Sequence, residues 1–341
     1  MKLILKLVML LSIVTITNSC KKNDQIPLAK NVYIAGSESN GTVAVATYWK
    51  NGVATHLTDG IKGAIAYAIA VSGNDVYVGG IERDDLSGHE TIKYWKNGIP
   101  KTLSMSSSLA EFGSMTVVGN DVYVAGSEAE NTGRVAKYWK NGNEIKLTDG
   151  TYFAHAYGIA VSGNDVYVVG SGNGAKFWKN GMAVDLPGFY SYPLSIAVAG
   201  NDVYVGGTQL IGNKKVAMYW KNGQSIPLSD GIRDANIRAI AVDNGVVHAT
   251  GYESDPASGY SIGKYWNSKG ASVNLSNATN WVNPYAIAVY GNDVFIAGYQ
   301  VDGLNGANYI IAKFWKNAVE TDIGNKTSGV VSTGRGIFVT Q

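Results

Sequence analysis

The chain has 341 residues, 45% apolar and 16% charged, with 28 basic against 26 acidic side chains, 42 glycines and 7 prolines. The near balance of charge leaves no basic footprint for nucleic acid or a polyanionic surface. So much glycine beside so few charges points to a glycine-punctuated all-β protein and away from a disordered or helical one.

The first residues read as an export signal. Lys2 and Lys6 flank the start of an apolar run that reaches Ile16, and small or polar residues lead to Cys20, the single cysteine of the chain. The run is shorter than the roughly 20 residues a spanning helix needs, and no second hydrophobic segment follows. With one thiol, intramolecular disulfides and thiolate metal sites are excluded. Ser19 fits the residue before a lipidated cysteine, Thr17 departs from the usual leucine three positions before it, and KKNDQIP follows as a polar tether. This opening resembles bacterial lipoprotein leaders, of a kind common in Bacteroidetes. The resemblance implies a lipid on Cys20, export, an outer-membrane or cell-envelope location, and contact with the bilayer through the lipid alone. An ordinary cleaved signal with an incidental cysteine is the other reading of these residues. The expected division is 1–19 signal peptide, 20–29 lipidated cysteine and tether, and 30–341 one folded domain.

Past the tether the chain repeats a module of four short runs: a, of AIAVSGN type; b, of DVYVGG type; c, ending in YWKNG; and d, ending in LTDG. Run c recurs at Trp49, Trp95, Trp139, Trp178, Trp220, Trp266 and Trp315, spaced 39 to 49 residues apart, the length of one four-stranded propeller blade. Each run is short, rich in Val, Ile, Ala and Tyr, and bounded by Gly, Asn or Asp, as strands are. Asn-Gly in KNG suits the positive φ angles of a tight hairpin between c and d, and SGND similarly joins a to b. The small residues of run a (Ala68, Ile69, Ala70, Val71) suit the crowded innermost strand. Successive strand residues point to opposite faces, so each Tyr-Trp pair sends one ring toward the preceding blade and the other toward the next.

The expected fold is therefore all-β: a seven-bladed propeller of four-stranded antiparallel blades. The chain begins at run b (Asn31–Gly36) and ends in 329–341, read as an a and a b run, so the closing blade combines both termini. This leaves one b run over, and either an eighth partial blade or IPLAK acting as an a strand would absorb it. On the AIAV-type run, the turn and the following NVYV-G pattern, residues 30 to 341 resemble bacterial β-propeller repeats of the NHL and SBBP-like kind. The resemblance implies the fold and little about activity, because that architecture hosts many functions.

The seven copies differ from each other in one respect. The a–b and c–d turns are nearly constant, whereas the b–c and d–a connections vary and emerge together on the opposite face. Those d–a connections carry aromatics that change from blade to blade, Phe189 and Trp281 among them. Binding residues concentrate on loops held by a rigid scaffold, and aromatic faces supply contact area. A binding surface is thus expected from Tyr67, Phe112, Tyr152, Phe153, Tyr157, Tyr190, Tyr192, Arg238, Trp281 and Tyr285. The competing reading of any one ring is a cap on the end of a blade interface.

Chemical motifs are weak. Gly259–Gly263 spells G-x-S-x-G but lies between strands, where a nucleophile elbow needs a strand feeding a helix. His56, His89, His155 and His248 lack ligand spacing. Glu82, Asp84, Asp85 and Glu90 lack the regular alternation of a calcium loop, and Arg83 stands among them. The lysines flanking each Tyr-Trp read as solvated strand edges. No catalytic residue, metal or cofactor is expected. The leading expectation is a monomeric, non-enzymatic binding module for a glycan, peptide or envelope protein, with no nucleic-acid partner. An assembly scaffold is the second reading, and a hydrolase or lyase with acids converging over the channel mouth is the third.

Overall fold

The hairpin turns form as their residues require. In the KNG turns, Asn51 and Asn180 have φ of 51° and 50°, and the glycines after them 83° and 82°. Two successive left-handed residues make the type I′ turn whose twist matches that of the flanking strands. The turn after Trp315 achieves the same with Asn317 and Ala318, at φ 51° and 65°. The computed structural model describes residues 31–84, 87–104, 110–130, 133–188, 190–277, 279–302, 309–324 and 331–340. Residues 1–30, and with them the leader, Cys20 and the tether, lie outside this set, as do Asp85 and Phe189.

The described residues form seven four-stranded antiparallel sheets, each in the order a-b-c-d, and no helix. Blade 1 joins the two ends of the chain: Ser332–Thr340 supplies strand a, and Asn31–Ser39, Ala44–Lys50 and Val53–His56 supply b, c and d. The inner strands of blades 2 to 7 are Gly63–Ser72, Ala110–Val118, His155–Ser162, Ser191–Ala199, Ala235–Asp243 and Trp281–Tyr290. The C-terminal stretch is thus one strand, not an a run and a b run. No b strand is left over, and the eighth partial blade is removed. The misreading has a physical cause: a bulge at Arg335 breaks the alternation of Ser332–Thr340, so one strand reads as two.

Every repeat tryptophan is buried, none more than 2% exposed. Each packs against the preceding blade, as Trp220 does against Tyr167, Val169 and Phe177 of blade 4. The tyrosine of the pair points the other way, as Tyr94 of blade 2 does toward Met115 and Trp139 of blade 3. An aromatic of this size contributes about 4–6 kcal/mol of transfer free energy before its ordering entropy is counted. The ring is therefore held together by blade-to-blade contacts rather than by a single central core.

The lysines require a correction. The lysine after each Tyr-Trp is solvated as expected, but strand c is not an edge, because strand d covers it. Lys96, Lys179 and Lys221 pair with Asp75, Asp165 and Asp202 at 2.8, 2.7 and 2.7 Å, and stand over Tyr77, Tyr167 and Tyr204. The lysine before the Tyr-Trp pair is buried in two blades: Lys137 is 2% exposed and pairs with Glu128, Glu130 and Glu144. Burying the ammonium is tolerated because carboxylates surround it.

Candidate functional site

The site begins with one glycine per blade. The sixth residue of every strand b is glycine: Gly36, Gly80, Gly126, Gly170, Gly207, Gly251 and Gly298. A Cβ on Gly80 would stand 2.1 Å from the Ile65 carbonyl oxygen, and one on Gly170 would stand 1.8 Å from that of His155. Only hydrogen lets the inner strand come this close. Opposite each glycine the inner strand carries one extra residue, a β-bulge: Tyr67, Gly113, Tyr157, Leu194, Arg238, Tyr285 or Arg335. Bulges re-aim the backbone where they occur. Here all seven fall at one level, the third to fifth residue of each inner strand counted from the variable face.

Six of these residues have side chains, and together with Phe112, next to Gly113, they line one central cavity of about 440 Å³. Small residues complete the wall, including Ser114, Ser195, Ala239 and Ala286. Tyr67 and Phe112 stack with ring centroids 5.8 Å apart, and Tyr157 stacks on His155 at 5.4 Å.

The other side of the ring is cationic. Arg238, Tyr285 and Arg335 come from three consecutive blades. Arg238 stands 5.0 Å from the Tyr285 centroid and 5.6 Å from that of Tyr252. Arg335 stands 4.9 Å from Tyr285, 5.0 Å from Tyr67 and 5.8 Å from Tyr299. Such cation–π contacts hold a guanidinium without neutralising it. Among the described residues neither arginine pairs with a carboxylate, and neither Nε meets an acceptor. Arg134 and Arg233, in contrast, face Glu111 and Asp255. Burial alone would raise the Tyr285 phenol, but the Arg238 and Arg335 charges, together with hydrogen bonds to Tyr299 and Arg335, outweigh it and bring the phenol below its ordinary value. Its stacked neighbour Tyr299, half-buried and hydrogen-bonded to Tyr285, is pushed up to about 12.

Glu111, beside Phe112, is held by its neighbours. His155 Nδ1 lies 2.7 Å from its carboxylate, and the Ser127 hydroxyl donates to it at 3.4 Å. The His155 hydrogen bond overcomes partial burial and lowers its pKa. Among the described residues no Asp or Glu lines the cavity.

Five of the ten residues singled out in the sequence converge on this cavity: Tyr67, Phe112, Tyr157, Arg238 and Tyr285. Tyr152, Phe153, Tyr190, Tyr192 and Trp281 do not line it, and they are 50–70% exposed. Trp281 instead meets Tyr260 edge to face at 6.3 Å. A second correction concerns placement: Tyr67, Phe112, Tyr157, Tyr192, Trp281 and Tyr285 belong to inner strands, not to connections. The AIAV run begins only after the bulge, so the strand is longer than its regular part. Sequence reasoning missed Leu194 and Arg335, for which the recurring glycine of strand b was the available signal. Ser261 of the G-x-S-x-G match opens a strand paired to Ser254, so the match is not a nucleophile elbow.

No family model matches the chain, and no curated protein does. Among solved structures, TolB from Acinetobacter baumannii is 11% identical, with a TM-score of 0.48 over 89% of this chain and 83% of that one. A putative TolB from Agrobacterium tumefaciens is 7% identical, with a TM-score of 0.43 over 91% and 99%. An acylaminoacyl peptidase from Pyrococcus horikoshii is 12% identical, with a TM-score of 0.36 over 76% of this chain and 52% of that one. Likeness of this degree says nothing of ligand or partner. The class stands on the strand pairing itself: a seven-bladed β-propeller with a lined central cavity.

Proposed function

We propose that this chain is a ligand-binding propeller of the bacterial cell envelope, tethered by a lipid on Cys20, and that its ligand enters from the variable face and rests in the central cavity. One observation carries the reading. Seven separate bulges, each bought by a glycine, place the blade-specific residues of the inner strands at one level around one cavity, although structural packing alone would be served by the small residues that follow them. The volume lies within the range of about 300–1,000 Å³ typical of small-molecule sites. The exposed Tyr152, Phe153 and Trp281 then act at the rim, where an extended glycan or peptide would continue outward. A hydrolytic reading would need two acids over the cavity, and Glu111 is already engaged by His155 and Arg134.

The test is a small-ligand library screened by thermal shift on the protein and on Leu194→Trp, whose larger ring occupies the cavity. Hits that stabilise the protein and fail with the variant support the reading. Hits that stabilise both equally place binding elsewhere and overturn it.

A further inference from the structure

We infer that the cavity takes an acidic monosaccharide unit, a sugar ring bearing a carboxylate or a phosphate, with its oxyanion held by Arg238 and Arg335. This rests on the reading of the cavity as a ligand site and names the class of ligand.

Charge comes first. The two guanidinium carbons stand 5.0 and 4.9 Å from the same ring centroid, so they are no further apart than the sum of those distances. Neither pairs with a carboxylate among the described residues, and each Nε is buried without an acceptor. Two like charges flanking one ring repel each other. An oxyanion contacting both guanidinium groups relieves the repulsion and matches the fork of N–H donors that guanidinium offers to carboxylate and phosphate. No acid among the described lining residues competes for them.

Shape and chemistry supply the rest. The wall facing the arginines around the ring is aromatic, formed by Phe112 and Tyr157, with Tyr67 beside Arg335. Flat rings suit the C–H face of a pyranose, while Ser114, Ser195 and the tyrosine hydroxyls offer partners to its alcohols. The cavity, about 440 Å³, holds one or two such rings and no folded partner.

The test is isothermal titration of the protein with glucuronate, glucose 6-phosphate and glucose, repeated on Arg238→Gln/Arg335→Gln. The seven buried tryptophans lie between blades, so their emission reports independently that a variant has folded. At least one acid sugar is expected to bind, with glucose at least about tenfold weaker, and the double variant should lose that preference. Binding of glucuronate alone assigns the carboxylate, of glucose 6-phosphate alone the phosphate, and of both the shared oxyanion; each supports the inference. In the unsubstituted protein, acid-sugar affinity should also fall as salt rises while glucose affinity does not, a readout that needs no variant. Equal binding of glucose and the acid sugars, or acid-sugar binding indifferent to both substitutions and salt, overturns the inference and leaves the cavity reading in place. No binding of any of the three overturns it as well, the cavity reading then being decided by the library screen. Acid-sugar binding that survives Leu194→Trp overturns both.

Discussion

Arg335, on the last strand of the chain, stands with its guanidinium carbon 4.9 Å from the ring centroid of Tyr285 on the neighbouring blade. Arg238, from the blade on the other side of Tyr285, reaches the same ring at 5.0 Å. One phenol thus sits between two cations that meet no acid among the described residues, and the group most sensitive to that charge is the phenol itself.

Burial raises the Tyr285 pKa, and the two arginines, with a hydrogen bond to Tyr299, more than offset it. Removing the arginines should therefore raise that pKa. In alkaline difference spectroscopy, the protein should show a phenolate step beginning below the ordinary tyrosine value of about 10. Tyr285→Phe should delete that step, and Arg238→Gln/Arg335→Gln should move it to higher pH. An onset unchanged by either substitution would contradict the charge assignment.

The blade interfaces should yield to one substitution at a repeat tryptophan. Trp220 is fully buried against blade 4, and its indole N–H donates to the Pro187 carbonyl at 3.2 Å. Trp220→Ala should cost about 3–5 kcal/mol, read from the urea midpoint, and Trp220→Phe less. A cost below about 1 kcal/mol would mean that the interfaces are not what holds the ring.

Acid should weaken the constant face five times over. Lys96, Lys179, Lys221 and Lys316 are the main cause of the lowered values of Asp75, Asp165, Asp202 and Asp293, and the Asn141 amide is the main cause for Asp121. Because the folded values lie below the unfolded one, this stabilisation is fully present above about pH 4 and is lost as pH falls through the folded values. Blade 1 carries Asn31 at this position, accepting from Asn51 at 2.9 Å, so Asp→Asn fits the site. Replacing all five aspartates should flatten the fall in urea midpoint between about pH 5 and about pH 3. An unchanged fall would assign acid sensitivity elsewhere, for instance to Glu111, whose value is also lowered.

The bulges should depend on the glycines opposite them. A Cβ on Gly36 would lie 1.7 Å from the Thr333 carbonyl oxygen, at the seam where the chain ends join, whereas one on Gly172 would find nothing nearer than 3.8 Å. Gly36→Ala should cost at least about 1–3 kcal/mol, and Gly172→Ala should stay within about 0.5 kcal/mol. Equal effects in urea unfolding would remove the link between glycine and bulge.

Much of the fold was legible because the chemistry of a blade repeats. Seven tryptophans in register number the blades, Asn-Gly marks one turn, and a chain that opens on a b run without its a run shows that the ring shuts on its own ends. The cavity was half legible. Tyr67, Phe112, Tyr157 and Tyr285 stand out because they differ between copies of a repeat, which packing does not require. Arg335 was hidden because its bulge splits Ser332–Thr340 into two apparent runs, and Leu194 because leucine in a strand reads as core. The convergence of all seven positions is a property of ring closure, carried by the angle between blades rather than by spacing along the chain.

The most direct measurement is charge-selective thiol labelling of Leu194→Cys, made in a Cys20→Ser background, with Tyr152→Cys on the rim as reference. Anionic and cationic methanethiosulfonates would be compared at each position, with and without Arg238→Gln/Arg335→Gln. The anionic reagent should be favoured at position 194 relative to position 152, and the preference should vanish with the arginines. An equal ratio at both positions, or faster labelling of position 194 by the cationic reagent, would contradict a cationic, ligand-receiving cavity.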